Sequence, residues 1–209
     1  MLQKLGYDFE FQEPNSARGG VGLVYNKNIN LTKREDIKLN PSVFKGKQLV
    51  IEDIWYETKL KKPTDNYIIG VIYRHPGGNE DCLSEFTTQL SAIMEKINSE
   101  NKKCIIAGDF NIDGLKINNN ESTSNFFNSI VEQAFIPTIT LPTRITDHSA
   151  TLIDNIFIND KVIKSSSIIS AGNLYHDISD HLPNFILIND KIKDNSTPRK
   201  KVRIFGQQN

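Results

Sequence analysis

The 209-residue chain is patterned as an α/β protein, two packed mixed β-sheets flanked by helices. Runs rich in β-branched and aromatic residues outnumber the helical stretches. One helix of clear 3.6-residue period sits between two apolar runs, a strand–helix–strand unit. A hydrophobic fraction of 38% over this length is enough for one core.

Taken in order, alternation predicts strands near Tyr7 to Gln12, Val21 to Tyr25, Gln48 to Glu57 and Tyr67 to Tyr73. The period then changes. Leu83, Phe86, Leu90, Ile93, Met94 and Ile97 recur at helical spacing, with Asn79 placed to cap and Glu80 and Asp81 in the first turn. A strand from Lys103 to Asp109 follows. A second helix is expected near Thr123 to Ala134, where Phe126, Phe127, Ile130, Val131 and Ala134 share a face. Three apolar runs, Thr151 to Ile158, Ser166 to Ala171 and Pro183 to Ile188, complete one domain over residues 1–190. Beyond it Lys191, Lys193, Arg199, Lys200, Lys201 and Arg203 face Asp194 alone, so residues 191–209 read as a basic flexible tail or linker.

Charge balances at 25 basic against 25 acidic residues, which excludes a global field for nucleic acid while leaving room for a local basic face. Cys82 and Cys104 fall in a predicted helix and a predicted strand, and their spacing makes neither a disulfide framework nor a zinc site. MLQKLGYDFEFQEP has no apolar signal core, and runs such as YIIGVIY are too short to span a bilayer. A soluble intracellular protein, nuclear or cytoplasmic, is expected.

Chemistry is expected where apolar runs end in polar residues. In IIAGDFNIDG, residues 105–114, strand alternation puts Asp109 and Asn111 on one side and Phe110 on the other. Gly108 allows close approach of a backbone or ligand. The plainer reading is a turn. In GVIYRHPGG, Tyr73 and Arg74 end a strand as donors suited to phosphate. LPTRIT sets Arg144 among hydroxyls, and DISDHLP brings Ser179, Asp180 and His181 together before a strand. An ordinary loop is the competing reading for each. Asp154 interrupts the apolar run ATLIDNIFIN, so its carboxylate needs a partner or the open end of a sheet.

RGGVGLVYNK, VIYRHP, IIAGDFNID, LPTRIT, SATLIDNIFIN and ISDHLPNF stand in an order that resembles the endonuclease/exonuclease/phosphatase superfamily. Within it the chain looks most like the endonuclease domain of non-LTR (LINE-type) retrotransposon polyproteins, chiefly through TRIT and SATLID. The resemblance implies a four-layered α/β sandwich and Mg2+- or Mn2+-dependent cleavage of phosphodiesters, of the DNA-nicking kind. It also implies a reverse transcriptase domain following in the full polyprotein, and no membrane. Asp109 would orient or deprotonate the attacking water, and Asn111 would hold that water and a phosphate oxygen. Tyr73 would touch the scissile phosphate, while His181, oriented by Asp154, would hydrogen-bond it. Asp180 would serve the metal, and Arg74, Arg144 and Ser179 would contact substrate.

Family members open with a strand ending in asparagine and another ending in the principal metal-binding glutamate, whereas Met1 to Tyr7 resembles the segment after both. Glu10 and Glu13 are poor substitutes, because QEPNSARGG resembles a loop. Weak or absent activity is therefore expected, with exposed strand edges and apolar surface favouring aggregation. Two other readings stay open, a phosphatase or phosphodiesterase of small phosphoesters and a non-catalytic nucleic-acid-binding relic.

Overall fold

The computed structural model describes residues 2–14, 19–59, 65–176 and 178–190; the basic segment 191–209 and Arg18 lie outside these. The strands are β1 (Tyr7–Gln12), β2 (Val21–Asn26), β3 (Leu31–Lys33), β4 (Ser42–Phe44), β5 (Lys47–Leu49), β6 (Ile51–Thr58) and β7 (Tyr67–Arg74), followed by helix α1 (Glu80–Ser99). After β8 (Lys103–Asp109) come α2 (Glu121–Glu132), β9 (Phe135–Pro137), β10 (Arg144–Thr146), β11 (Ser149–Thr151) and β12 (Asp154–Asn159). Short α3 (Asp160–Ser165), β13 (Ser166–Asn173) and β14 (Asn184–Asp190) complete the described part.

Local chemistry sets the boundaries. Asn79 caps α1 by accepting the Cys82 N–H, and the helix buries Cys82, Phe86, Leu90, Ile93, Met94 and Ile97. Asn120 caps α2 by accepting the Thr123 N–H. That helix stops before the expected Ala134, whose φ of 57° is left-handed, and Val131 is exposed rather than buried. The expected strand over Gln48 to Glu57 splits at Val50, because Lys45 and Gly46, both at positive φ, turn β4 back onto β5. The run Thr151 to Ile158 splits likewise. Leu152 and Ile153 leave the strand, and their carbonyls take the N–H groups of Gly114 and Phe110, each at 2.9 Å.

A six-stranded sheet of order β3-β6-β7-β8-β12-β9 organises the molecule. β7 and β8 are parallel, joined through α1, and the other neighbours are antiparallel. On one face Trp55, Ile68, Ile72, Cys104, Ile106 and Phe157 form a core with the buried stripes of α1 and α2. On the other, Ile54 and Tyr56 cluster with Val21, Leu23 and Val71, while Ile156 and Ile158 cluster with Ile105, Ala107, Ile186 and Ile188. The sandwich is therefore present, and its second β layer is two antiparallel pairs, β1–β2 and β13–β14. Cys82 and Cys104 are buried free thiols, as their positions suggested. Tyr7, Phe9 and Phe11 lie on the outward side of β1 at 42%, 46% and 62% exposure. Among the described residues no helix is long and apolar enough to cross a membrane.

Candidate active site

Four neighbouring strands carry a polar row at one rim of the sheet. Glu52 of β6, Tyr73 of β7, Asp109 of β8 and Asp154 of β12 are successive register partners. Ile54, Val71, Ala107 and Ile156, each two residues away on its strand, lie on the apolar face toward the second β layer. The same face therefore turns polar where the strands leave the core.

Asp109 and Asn111 do converge, though not by strand alternation. β8 ends at Asp109, and Asn111 takes a left-handed φ of 49°, which asparagine tolerates. Its N–H donates to Asp109 Oδ1 at 3.0 Å, and its Nδ2 donates to the Arg74 carbonyl at 2.8 Å. Arg74 completes that loop from below. Its buried Nη1 donates to the carbonyls of Phe110 and Asn111 at 3.2 and 3.3 Å, and Nη2 donates to Gly77 at 3.2 Å. The guanidinium thus faces backbone carbonyls where a substrate phosphate was expected, because Arg74, next along β7 from Tyr73, points to the opposite face of the sheet and lies 5.8 Å from the centre of the core Phe86 ring.

Opposite Asp109, Asp154 binds His181. The imidazole Nδ1 is 3.2 and 3.1 Å from Asp154 Oδ1 and Oδ2. A carboxylate only accepts, so Nδ1 carries the proton and Nε2 is left for a ligand. Thr143, fully buried, donates its hydroxyl to Asp154 Oδ2 at 2.6 Å and accepts the N–H groups of Ile153 and Asp154. Ser179 Oγ accepts the His181 N–H at 3.1 Å and donates to the His181 carbonyl at 3.0 Å, closing the turn that presents the ring. Ser179 is thereby placed on the histidine's own backbone. Arg144 and Asp180 pair with each other, Nε to Oδ2 at 2.7 Å, and the guanidinium holds the Asp180 carboxyl below its ordinary value. Asp180 was expected to serve the metal, but its carboxylate lies outside the cluster that the site forms. Glu10 accepts the Tyr56 hydroxyl.

That cluster is Asp109, Asp154 and His181, whose ligand atoms lie within 4.8 Å of one another. Burial, and then the nearby Asp154 charge, push the Asp109 carboxyl up to about 6. Two opposed carboxylates of this kind offer hard oxygen donors and a repulsion that a divalent cation would relieve, so the residues fit Mg2+ or Mn2+. Burial, with Asp109 and Glu52 adding their charge, raises the Tyr73 pKa and keeps its phenol a neutral donor.

Thr143 and Glu52 are not singled out from the sequence, and His75, which ends the strand of GVIYRHPGG beside Tyr73 and Arg74, is given no role there. Thr143 stands within LPTRIT beside the more conspicuous Arg144. Glu52, completely buried, lies 3.2 Å from His75 Nε2 through Oε1 and accepts the Gly20 N–H through Oε2. For Glu52 the available signal is a polar residue inside a strand with no exposed face, whereas Thr143 and His75 lie outside the strands and offer none.

An α/β sandwich carrying an Asp–His pair against a second carboxylate has the make-up of a hydrolase that works with a divalent metal. The chain belongs to the Endonuclease/Exonuclease/phosphatase family, whose sequence profile matches residues 2–181. Members are hydrolytic nucleases and phosphatases that typically use divalent metals. No curated protein matches the sequence. Among solved structures, the endonuclease domain of TRAS1, a telomere-specific non-LTR retrotransposon, superposes with a TM-score of 0.65 at 11% identity, covering 88% of this chain and 79% of that one. An AP endonuclease from Leishmania major gives 0.64 at 10% identity, covering 88% and 71%. The mannosyl-6-phosphatase of Bacteroides thetaiotaomicron gives 0.57 at 17% identity, covering 88% and 77%. At these identities the likeness is one of fold.

Proposed function

We propose that the protein is a Mg2+- or Mn2+-dependent phosphodiesterase that nicks DNA, the endonuclease unit of a LINE-type retroelement polyprotein with a reverse transcriptase as its companion domain. The observation that carries the chemistry is the Asp154–His181 pair set against Asp109 across adjacent strands. The retroelement branch rests on TRIT and on SATLID, which contains Asp154, with the likeness to TRAS1 contributing the fold.

Phosphodiester hydrolysis needs an oriented water in line with the leaving oxygen and donors where negative charge grows. Asp109, with Oδ1 taken by the Asn111 N–H, uses Oδ2 to orient the water and receive its proton. Asn111, anchored through Nδ2, presents its carbonyl oxygen to that water. Asp154 fixes the His181 ring so that Nε2 meets a phosphate oxygen, and the Tyr73 hydroxyl donates to the same phosphate. The Asp109 and Asp154 carboxylates would hold a divalent cation, which would supply neutralisation of the phosphate charge. Arg144, at the exposed edge, contacts the DNA backbone in exchange for Asp180.

Nicking of supercoiled plasmid with magnesium or manganese tests the reading, with phosphate release from small esters measured alongside. Slow metal-dependent nicking, in keeping with the weak activity expected from the sequence, and lost in His181→Ala, is the expected result. No nicking with either metal, or nicking indifferent to that substitution, would overturn it.

A further inference from the structure

His75 takes no part in the chemistry above, yet it stands against it. It directly follows β7, with its N–H donating to the Val50 carbonyl at 3.0 Å. Its ring centroid lies 4.5 Å from that of Tyr73, the planes inclined by 44°. On its other side Nε2 is 3.2 Å from Glu52 Oε1. Glu52 is itself immobilised. It is wholly buried, Oε2 takes the Gly20 N–H, and Gly19 passes so close that a Cβ there would lie 2.6 Å from Oε1. Gly19 and Gly20 hold φ values of 126° and 106°, which suit only glycine, so the loop closes over the carboxylate.

Tyr73 needs such support. Among the described residues its hydroxyl makes no hydrogen bond, so ring packing alone aims the phenol, and displacement by about 1 Å at a reacting phosphate costs on the order of 100-fold in rate. An imidazole locked by a buried carboxylate is a stiffer wall than an aliphatic side chain with free rotamers.

We infer that His75 is a positioning residue: Glu52 fixes the imidazole, the imidazole fixes the Tyr73 ring, and the phenol hydroxyl is thereby presented to the reacting phosphate. The inference rests on the phosphodiesterase reading for its catalytic consequence, while the ring contact stands apart from it.

The experiment joins two readouts on the full chain labelled with 3-fluorotyrosine. In the fluorine spectrum, the Tyr73 resonance, assigned by its loss in Tyr73→Phe, shifts and broadens in His75→Ala. In the nicking assay, His75→Ala lowers kcat about tenfold with KM within twofold of wild type. His75→Phe, which keeps a ring beside Tyr73, recovers kcat to within about threefold. In a Tyr73→Phe background, where no hydroxyl remains to be aimed, His75→Ala adds no further loss. A Tyr73 resonance indifferent to His75→Ala, or an equal kcat loss in both backgrounds, would overturn the inference. A wild-type chain that fails to nick defeats the nuclease reading separately, and the fluorine resonance still decides whether His75 holds Tyr73.

Discussion

Asp109 and Asp154 are direct partners across antiparallel β8 and β12, so two carboxylates face each other at the rim of the sheet. The consequence is a charge conflict built into the fold. Burial and Asp154 push the Asp109 carboxyl from its ordinary 3.8 up to about 6. The folded protein therefore holds that proton more tightly than the unfolded chain does. Stability falls as pH rises between about 4 and 6, and the full penalty applies above that window. Asp109→Asn removes it. In metal-free buffer at pH 7.5 the variant should be more stable by about 1 to 2 kcal/mol, a figure discounted for partial exposure, and the gain should vanish near pH 4. Thermal melts across that range check it, and a wild type as stable as the variant at pH 7.5 would contradict the account.

His181 and Asp154 act as one unit, since the ring has its Nδ1 on the carboxylate and Thr143 holds the carboxylate from behind. His181→Ala should lower the nicking kcat by about 100-fold or more, and Asp154→Asn, which keeps the shape, by about tenfold or more. At saturating metal, where the cation no longer depends on Asp154, the double variant should be scarcely worse than His181→Ala alone. Multiplicative losses in single-turnover assays under that condition would mean that Asp154 serves the reaction by a route other than the histidine or its share in holding the cation.

The buried guanidinium of Arg74 ties together the carbonyls of Phe110, Asn111 and Gly77. Arg74→Met leaves those carbonyls without their donor and removes the support of the Asn111 loop. Urea titration should show a loss of about 2 to 4 kcal/mol, and Arg74→Lys should restore little of it, because one ammonium cannot reproduce the guanidinium fork. A variant at wild-type stability with weakened DNA affinity would instead return Arg74 to the role its sequence context suggested.

Legibility from sequence divides along the same physical line. Asp154 interrupts an apolar run, so the cost of burying it singles it out within the sequence itself, whereas Asp109 and His181 read as turn and loop residues until the ordered segments that resemble the family are taken together. Asn79 and the apolar spacing of α1 define that helix equally well. Glu52 and Asp53 sit in β6, where almost every residue is buried, so alternation gives no sign of which face either occupies. Asp53 is satisfied by Trp55 Nε1 and the Leu39 N–H, contacts that no pattern of neighbours announces. The polar row itself depends on the register of four strands, and register is set by tertiary pairing.

Gly108 bears a constraint that its sequence context half revealed. The close approach expected there is to backbone: a Cβ at Gly108 would lie 1.8 Å from the Ile72 carbonyl oxygen, on the neighbouring parallel strand. Because the obstacle is main chain within a ladder, no rotamer change relieves it. Gly108→Ala should cost about 3 kcal/mol or more in urea unfolding and displace Asp109 next to it. A loss below about 1 kcal/mol would show that β7 and β8 can part locally at the site.

The outward face of β1 sets Tyr7, Phe9 and Phe11 side by side, with the rings of Phe9 and Phe11 6.1 Å apart. Val24, the cross-strand partner of Phe9, is 54% exposed and continues the patch onto β2. Such a surface favours self-association over solubility. Phe9 and Phe11 keep about half of their surface in solvent there, so Phe9→Thr with Phe11→Thr should lower the melting temperature by less than about 5 °C, threonine being a good strand former. The same pair of substitutions should raise the concentration at which light scattering appears by severalfold. A melting temperature lowered by more than about 5 °C would mean that these rings pack against something in solution, and the patch would then be a covered surface rather than a free one.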